Sequence, residues 1–118
     1  MNPIKMARIK EDTPPEYYRV LVDRLWPRGI GKDQTWWDEW LPEVAPSTEL
    51  RHAYHSDIDD SATFRVRYLA ELGQNMSRQM ARLAELARTR PLALLTYSRT
   101  LETSHVPILR DFLEQDLT

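Results

Sequence analysis

Two apolar runs far apart in the chain limit its fold more than any other feature. They are YYRVLVD, Tyr17–Asp23, and PLALLTY, Pro91–Tyr97. Both are short and dominated by aliphatic, β-branched and aromatic residues. Both are bounded by breakers: EDTPP precedes the first, Pro27, Gly29 and Gly31 follow it, and Pro91 heads the second. Runs of this length without polar alternation read as strands buried on both faces. The segment between them is long and carries helical periodicity, so the two strands are expected to pair in parallel. The fold class that follows is α/β: a small, mostly parallel sheet flanked by helices in a single three-layer-like domain over residues 1–118. A chain of 118 residues forms one core, burying roughly 65% of its unfolded surface, and has too few residues for a second.

The remaining elements follow from punctuation and period. Ile4–Ile9 alternates weakly and reads as a short strand. TWWDEWL, Thr35–Leu41, places Trp36, Asp38 and Trp40 on one side if it is extended; a helix there would be ended by Pro42. Ser47 is expected to cap a helix whose face carries Leu50, Ala53 and Tyr54. HSDIDDS is a turn in which Asp60 or Ser61 caps the next helix. That helix buries Phe64, Tyr68, Leu69 and Leu72 and stops at Gly73. Met76, Met80, Leu83, Ala84 and Ala87 mark a further helix, ended by Pro91. Val106, Leu109 and Leu113 mark the last, with Phe112 beside them. So small a sheet leaves an edge open, and the Trp-rich segment points to a homodimer contact at Trp36 or Trp37.

Composition removes several function classes. With no cysteine, the chain has no disulfide, no thiolate chemistry and no Cys-type zinc site. No apolar run approaches the ~20 residues that span a bilayer, and MNPIKMARIK lacks the apolar stretch of a signal peptide. A cytoplasmic protein without a membrane partner is expected. A net charge of −2 gives no sign of a nucleic-acid partner. No G-x-G-x-x-G and no P-loop occur, so no cofactor is expected. Ser47, Ser98 and Ser104 lack the G-x-S-x-G setting of a nucleophile. His52 and His55 lie three apart with Asp57 nearby, but no further ligand is evident and no metal site is assigned. Arginine outnumbers lysine thirteen to three. Genome base composition explains such a skew as well as bidentate anion recognition does, so position must decide.

Position singles out the strand ends. Ligands of open α/β sheets bind beyond the carboxyl ends of the strands. Here those ends are DRLWPRG and YSRTLETSH. If the two strands are neighbours, Asp23, Arg24, Arg28, Tyr97, Ser98, Arg99 and His105 gather on one rim. Arg24, Arg28, Arg99 and Ser104 are the expected anion-binding residues, with Trp26, Tyr97 and Ser98 as pocket wall. Pro107 belongs in a first helical turn. This puts the N-cap at Thr103 or Ser104 and His105 at the first or second helical position. Free N–H groups there favour an anion, and the helix dipole lowers the pKa of His105. His105 and Asp23 are the candidate acid–base pair. Simpler roles compete at each position: Arg24 in an ion pair, Trp26 as a packing anchor, Asp23 accepting from backbone N–H groups, His105 as a cap.

Four stretches together resemble one family: RVLVDRLWPRG (Arg19–Gly29), APSTELR (Ala45–Arg51), F-R-x-R-Y-x-x-E-L (Phe64–Leu72) and LL…SHVPIL. They are similar to the YeaO-like family of small bacterial proteins, within domain of unknown function 488, over roughly Ile4 to Leu113. The resemblance marks Asp23, Arg24, Trp26, Pro27, Arg28, Gly29, Ser47, Tyr68, Glu71 and His105 as family-typical, and it implies no known activity. Three departures stand out. HSD replaces the usual His-Asp pair after the Ser47 helix, Ser61 replaces a Trp, and Arg99 stands where Lys is usual.

Three functions fit these residues. One is a small enzyme on a phosphorylated or carboxylated metabolite. A second is a module that binds a small anionic ligand without chemistry. The third is a protein-interaction module using exposed Trp and Arg. A positioned acid–base pair favours the first, an Arg cluster without one the second, and a flat exposed Trp patch the third.

Overall fold

The computed structural model describes residues 2–56 and 60–116. Four strands, β1 (Ile4–Arg8), β2 (Tyr18–Leu21), β3 (Glu39–Trp40) and β4 (Leu92–Thr96), form one sheet. Its order is β1-β4-β2-β3, and every pairing is parallel. The two apolar runs are therefore neighbours, with Val20 beside Leu94 and Leu21 beside Leu95. All five residues of β4 are buried, as its central place requires. The level register brings the carboxyl ends of β2 and β4 to one rim.

Four helices follow from their caps and apolar faces: α1 (Thr48–His55), α2 (Ser61–Gln74), α3 (Arg78–Thr89) and α4 (Val106–Asp116). The side chains of Ser47, Asp60 and Ser77 accept from the N–H groups of Leu50, Thr63 and Met80, giving the first three helices conventional N-caps. All four helices pack on one face of the sheet, where Leu50, Phe64, Tyr68, Leu83 and Leu109 meet Val20, Val22, Leu92 and Leu94. Among the described residues the opposite face carries no helix. Ala7, Leu21, Ala93 and Leu95 are covered there by Trp26, Ile30, Trp37 and Trp40 from the segment between β2 and the first helix. The third layer is thus a tryptophan-rich loop. Trp26 meets Trp37 and Trp40 edge to face, with centroids 5.0 and 5.3 Å apart.

Three local expectations shift. Gly73 lies inside α2, which runs to Gln74 and is capped by Asn75 instead; the Asn75 side chain accepts from the Ser77 N–H and donates to the Glu43 carbonyl, so a polar C-cap replaces the glycine stop. Met76 sits between α2 and α3 and is 93% exposed, because Ser77 starts the next helix one residue later. TWWDEWL is extended but pairs with β2 only at Glu39 and Trp40. Trp37 is buried within its own chain, whereas Trp36 is exposed. Of the two tryptophans named for a homodimer contact, Trp36 alone keeps surface to offer. No helix among the described residues is long and apolar enough to cross a membrane.

Candidate functional site

Beyond the ends of β2 and β4 the backbone is held by side chains. Thr96 is almost fully buried and needs a partner for its hydroxyl. It donates to Asp23 Oδ1 at 2.7 Å, and Oδ2 of the same carboxylate accepts the Tyr97 N–H at 2.7 Å. Asp23 thus ties the loop after β2 to the exit of β4. Gly29, at φ +79°, then turns the chain where another residue would be strained.

His105 faces the same junction. Its Nε2 lies 2.8 Å from the Val22 carbonyl oxygen, an acceptor only, so that nitrogen carries the proton. Asp23 Oδ1 is 3.9 Å from it, and the Tyr68 ring meets the imidazole edge to face at 5.8 Å. Burial holds the Tyr68 phenol well above its usual pKa, and it donates to the Val44 carbonyl at 2.7 Å. The Leu109 N–H bonds the His105 carbonyl and α4 begins at Val106, so His105 is the N-cap residue itself and not the first or second helical residue after a cap at Thr103 or Ser104. Ser104 is also engaged: its Oγ donates to the Leu101 carbonyl and accepts from the Val106 N–H.

Burial lowers the His105 pKa from its ordinary 6.5; the Asp23 charge and the bond to Val22 oppose this without overcoming it. The cause is burial, where the sequence had suggested the helix dipole. The linkage has a definite sign. Well above pH 6.5 the imidazole is neutral in both the folded and the unfolded chain. As pH falls, the unfolded chain takes up the proton first, so stability drops until the folded pKa is passed. Unfolding free energy measured at about pH 7.5 and about pH 5.5 should show this loss, and His105→Gln should shrink it. An unchanged slope in that variant would count against a buried neutral imidazole.

The strand ends, the start of α1 and the segment before α4 enclose a cleft of about 580 Å³. Asp23, Arg24, Trp26, Arg28, Tyr97, Ser98, Ser104 and His105 all line it; Arg99 is exposed and does not. Lining is not the same as availability. Arg24 donates from Nε to the Pro46 carbonyl and from Nη2 to the Ala45 carbonyl, both at 2.9 Å, so its fork fastens the turn ahead of α1. Trp26 donates to the Ile30 carbonyl and packs between Trp37 and Trp40. Arg28 is exposed at the cleft and makes no hydrogen bond or ion pair to the described residues.

Arg51 was not singled out from the sequence. It is half-buried in the cleft wall, and its Nε is buried with no acceptor among the described residues. The usable signal was the spacing Arg51, Tyr54 and His55, at i, i+3 and i+4 on α1; all three line the cleft. Glu71 supports that helix, accepting from the backbone N–H and the hydroxyl of Ser47. His55 is exposed at the cleft, and Asp57 lies outside the described residues. Among the described residues no group of three metal-ligating side chains occurs.

The family profile described as the inactive DUF488-N3 subclade matches residues 3–118. The chain belongs to the DUF488 family. This DUF488 protein is 50% identical over 96 residues to the uncharacterised protein YeaO of Escherichia coli (strain K12), covering 81% of this chain and 83% of that one. It is 38% identical over 111 residues to an uncharacterised protein of Mycobacterium tuberculosis (strain H37Rv), covering 93% and 92%. The same figures hold for an uncharacterised protein of Mycobacterium bovis. No solved structure matches the chain.

Proposed function

We propose that this DUF488 protein is a non-catalytic module that holds a small anionic ligand in the cleft between Arg28 and Arg51. The observation that carries this reading is Arg51. Its guanidinium makes no hydrogen bond or ion pair to the described residues, and Arg51 lies in the wall of the same cleft that Arg28 lines. A carboxylate or phosphate between the two would supply charge-assisted bonds to both. The candidate acid–base pair has other employment: both Asp23 oxygens accept from the fold and His105 Nε2 is spent on Val22. The word inactive in the subclade's description agrees with binding without chemistry.

Calorimetric titration with inorganic phosphate tests the assignment. The wild-type protein should bind with a dissociation constant on the order of millimolar. Arg51→Gln should weaken binding about tenfold or more, whereas His105→Gln should stay within about threefold because the imidazole serves the fold. Unweakened binding in Arg51→Gln would overturn the site. An equal loss in both variants would favour an enzyme with His105 at the reacting centre.

A further inference from the structure

We infer that the ligand of this cleft is an aromatic anion, its charge held by Arg28 and Arg51 and its ring lodged against Leu25, Tyr54, Phe64 and Tyr97. This rests on the anion-binding reading above and names the chemistry that reading leaves open. A volume of about 580 Å³ falls in the range of pockets that take organic ligands, and a bare phosphate ion would fill only a small part of it. The walls are suited to the remainder. Tyr54 and Phe64 stack with centroids 4.3 Å apart and planes 18° from parallel, which gives the cleft an aromatic side. Rings pack onto such a stack by offset or edge contacts.

The mouth is apolar where a surface should be polar. The large hydrophobic side chains exposed among the described residues are Leu25, Trp36, Val66, Met76 and Tyr97. Two of them, Leu25 at 59% and Tyr97 at 48% exposure, line this one cleft. Single exposed apolar residues are ordinary, but apolar groups gathered around a concave site mark a place where apolar surface is covered. Arg51 lies one turn before Tyr54 on α1, so cation and ring share a helix face. Among the described residues that line the cleft the one carboxylate, Asp23, is already met by Thr96 and Tyr97. Together these features fit a ligand with a flat apolar body and one anionic group.

The test is a calorimetric series at about pH 8, where phosphate and its monoesters all carry close to two negative charges. The probes are inorganic phosphate, phenyl phosphate, butyl phosphate and phenol. Phenyl phosphate should bind about tenfold or more tighter than inorganic phosphate and several-fold tighter than butyl phosphate. Tyr97→Ala and Leu25→Ser change exposed side chains and should bring the ratio of phenyl phosphate to inorganic phosphate affinity down to about two or less. Equal affinity for phenyl phosphate and inorganic phosphate would overturn this inference and leave the anion-binding reading standing. Butyl phosphate binding as tightly as phenyl phosphate would overturn the aromatic preference. Phenol binding as tightly as phenyl phosphate, or no binding by any anion, would overturn the anion-binding reading itself.

Discussion

Asp23→Ala should cost the fold about 3 kcal/mol of stability, the larger part of it from two charge-assisted hydrogen bonds lost at once. The carboxylate joins the ends of β2 and β4 through the Thr96 hydroxyl and the Tyr97 N–H, each at 2.7 Å. Without it the Thr96 hydroxyl is left buried beside the apolar end of the central strand. Asp23→Asn should lose less, because one amide oxygen can still accept while the amide nitrogen cannot. Urea unfolding of both variants measures this, with the slope against denaturant unchanged if the fold is kept. A loss below about 0.5 kcal/mol in Asp23→Ala would mean that the carboxylate is not the fastener of the strand ends.

The arginines should separate into two kinds when each is replaced. Arg24→Ala removes two donors from the Ala45 and Pro46 carbonyls, and a loss of about 2 kcal/mol is expected. The pair Arg28→Ala and Arg51→Ala together should leave stability within about 1 kcal/mol, since neither guanidinium bonds the described residues. Phosphate affinity should fall about a hundredfold or more in that double variant, beyond calorimetric detection for so weak a ligand. Thermal or urea unfolding beside calorimetry on each variant checks both halves. A destabilised double variant with intact phosphate binding would reverse the assignment.

This division of labour explains what the sequence could and could not disclose. β2 and β4 were legible because burial on both faces leaves a composition of its own: the apolar runs from Tyr17 and from Pro91. The gathering of most of these residues on one rim was legible because it follows from strand direction alone. The role of Arg24 was not. Its acceptors are backbone carbonyls more than twenty residues onward, and a carbonyl has no signature in the sequence. Arg51 was hidden for the opposite reason: an arginine on the polar face of a short helix looks solvated until the facing walls are known. Arg99, placed beside Arg28 by the same strand-end argument, is exposed and outside the cleft lining, because the chain leaves β4 through a loop whose direction no local pattern fixes. The Trp26 alternatives separated only once Trp37 and Trp40 were seen to lie over the same face of the sheet.

The most direct measurement follows the arginine side chains themselves. In proton–nitrogen correlation spectra the Nε–H signals of Arg24, Arg28 and Arg51 can be assigned by substitution and followed as phosphate is added. Arg51 and Arg28 should move together along one saturating curve while Arg24 stays near its starting position, held by Ala45 and Pro46. A stationary Arg51 signal at tens of millimolar phosphate, or movement confined to Arg24, would contradict anion binding between Arg28 and Arg51.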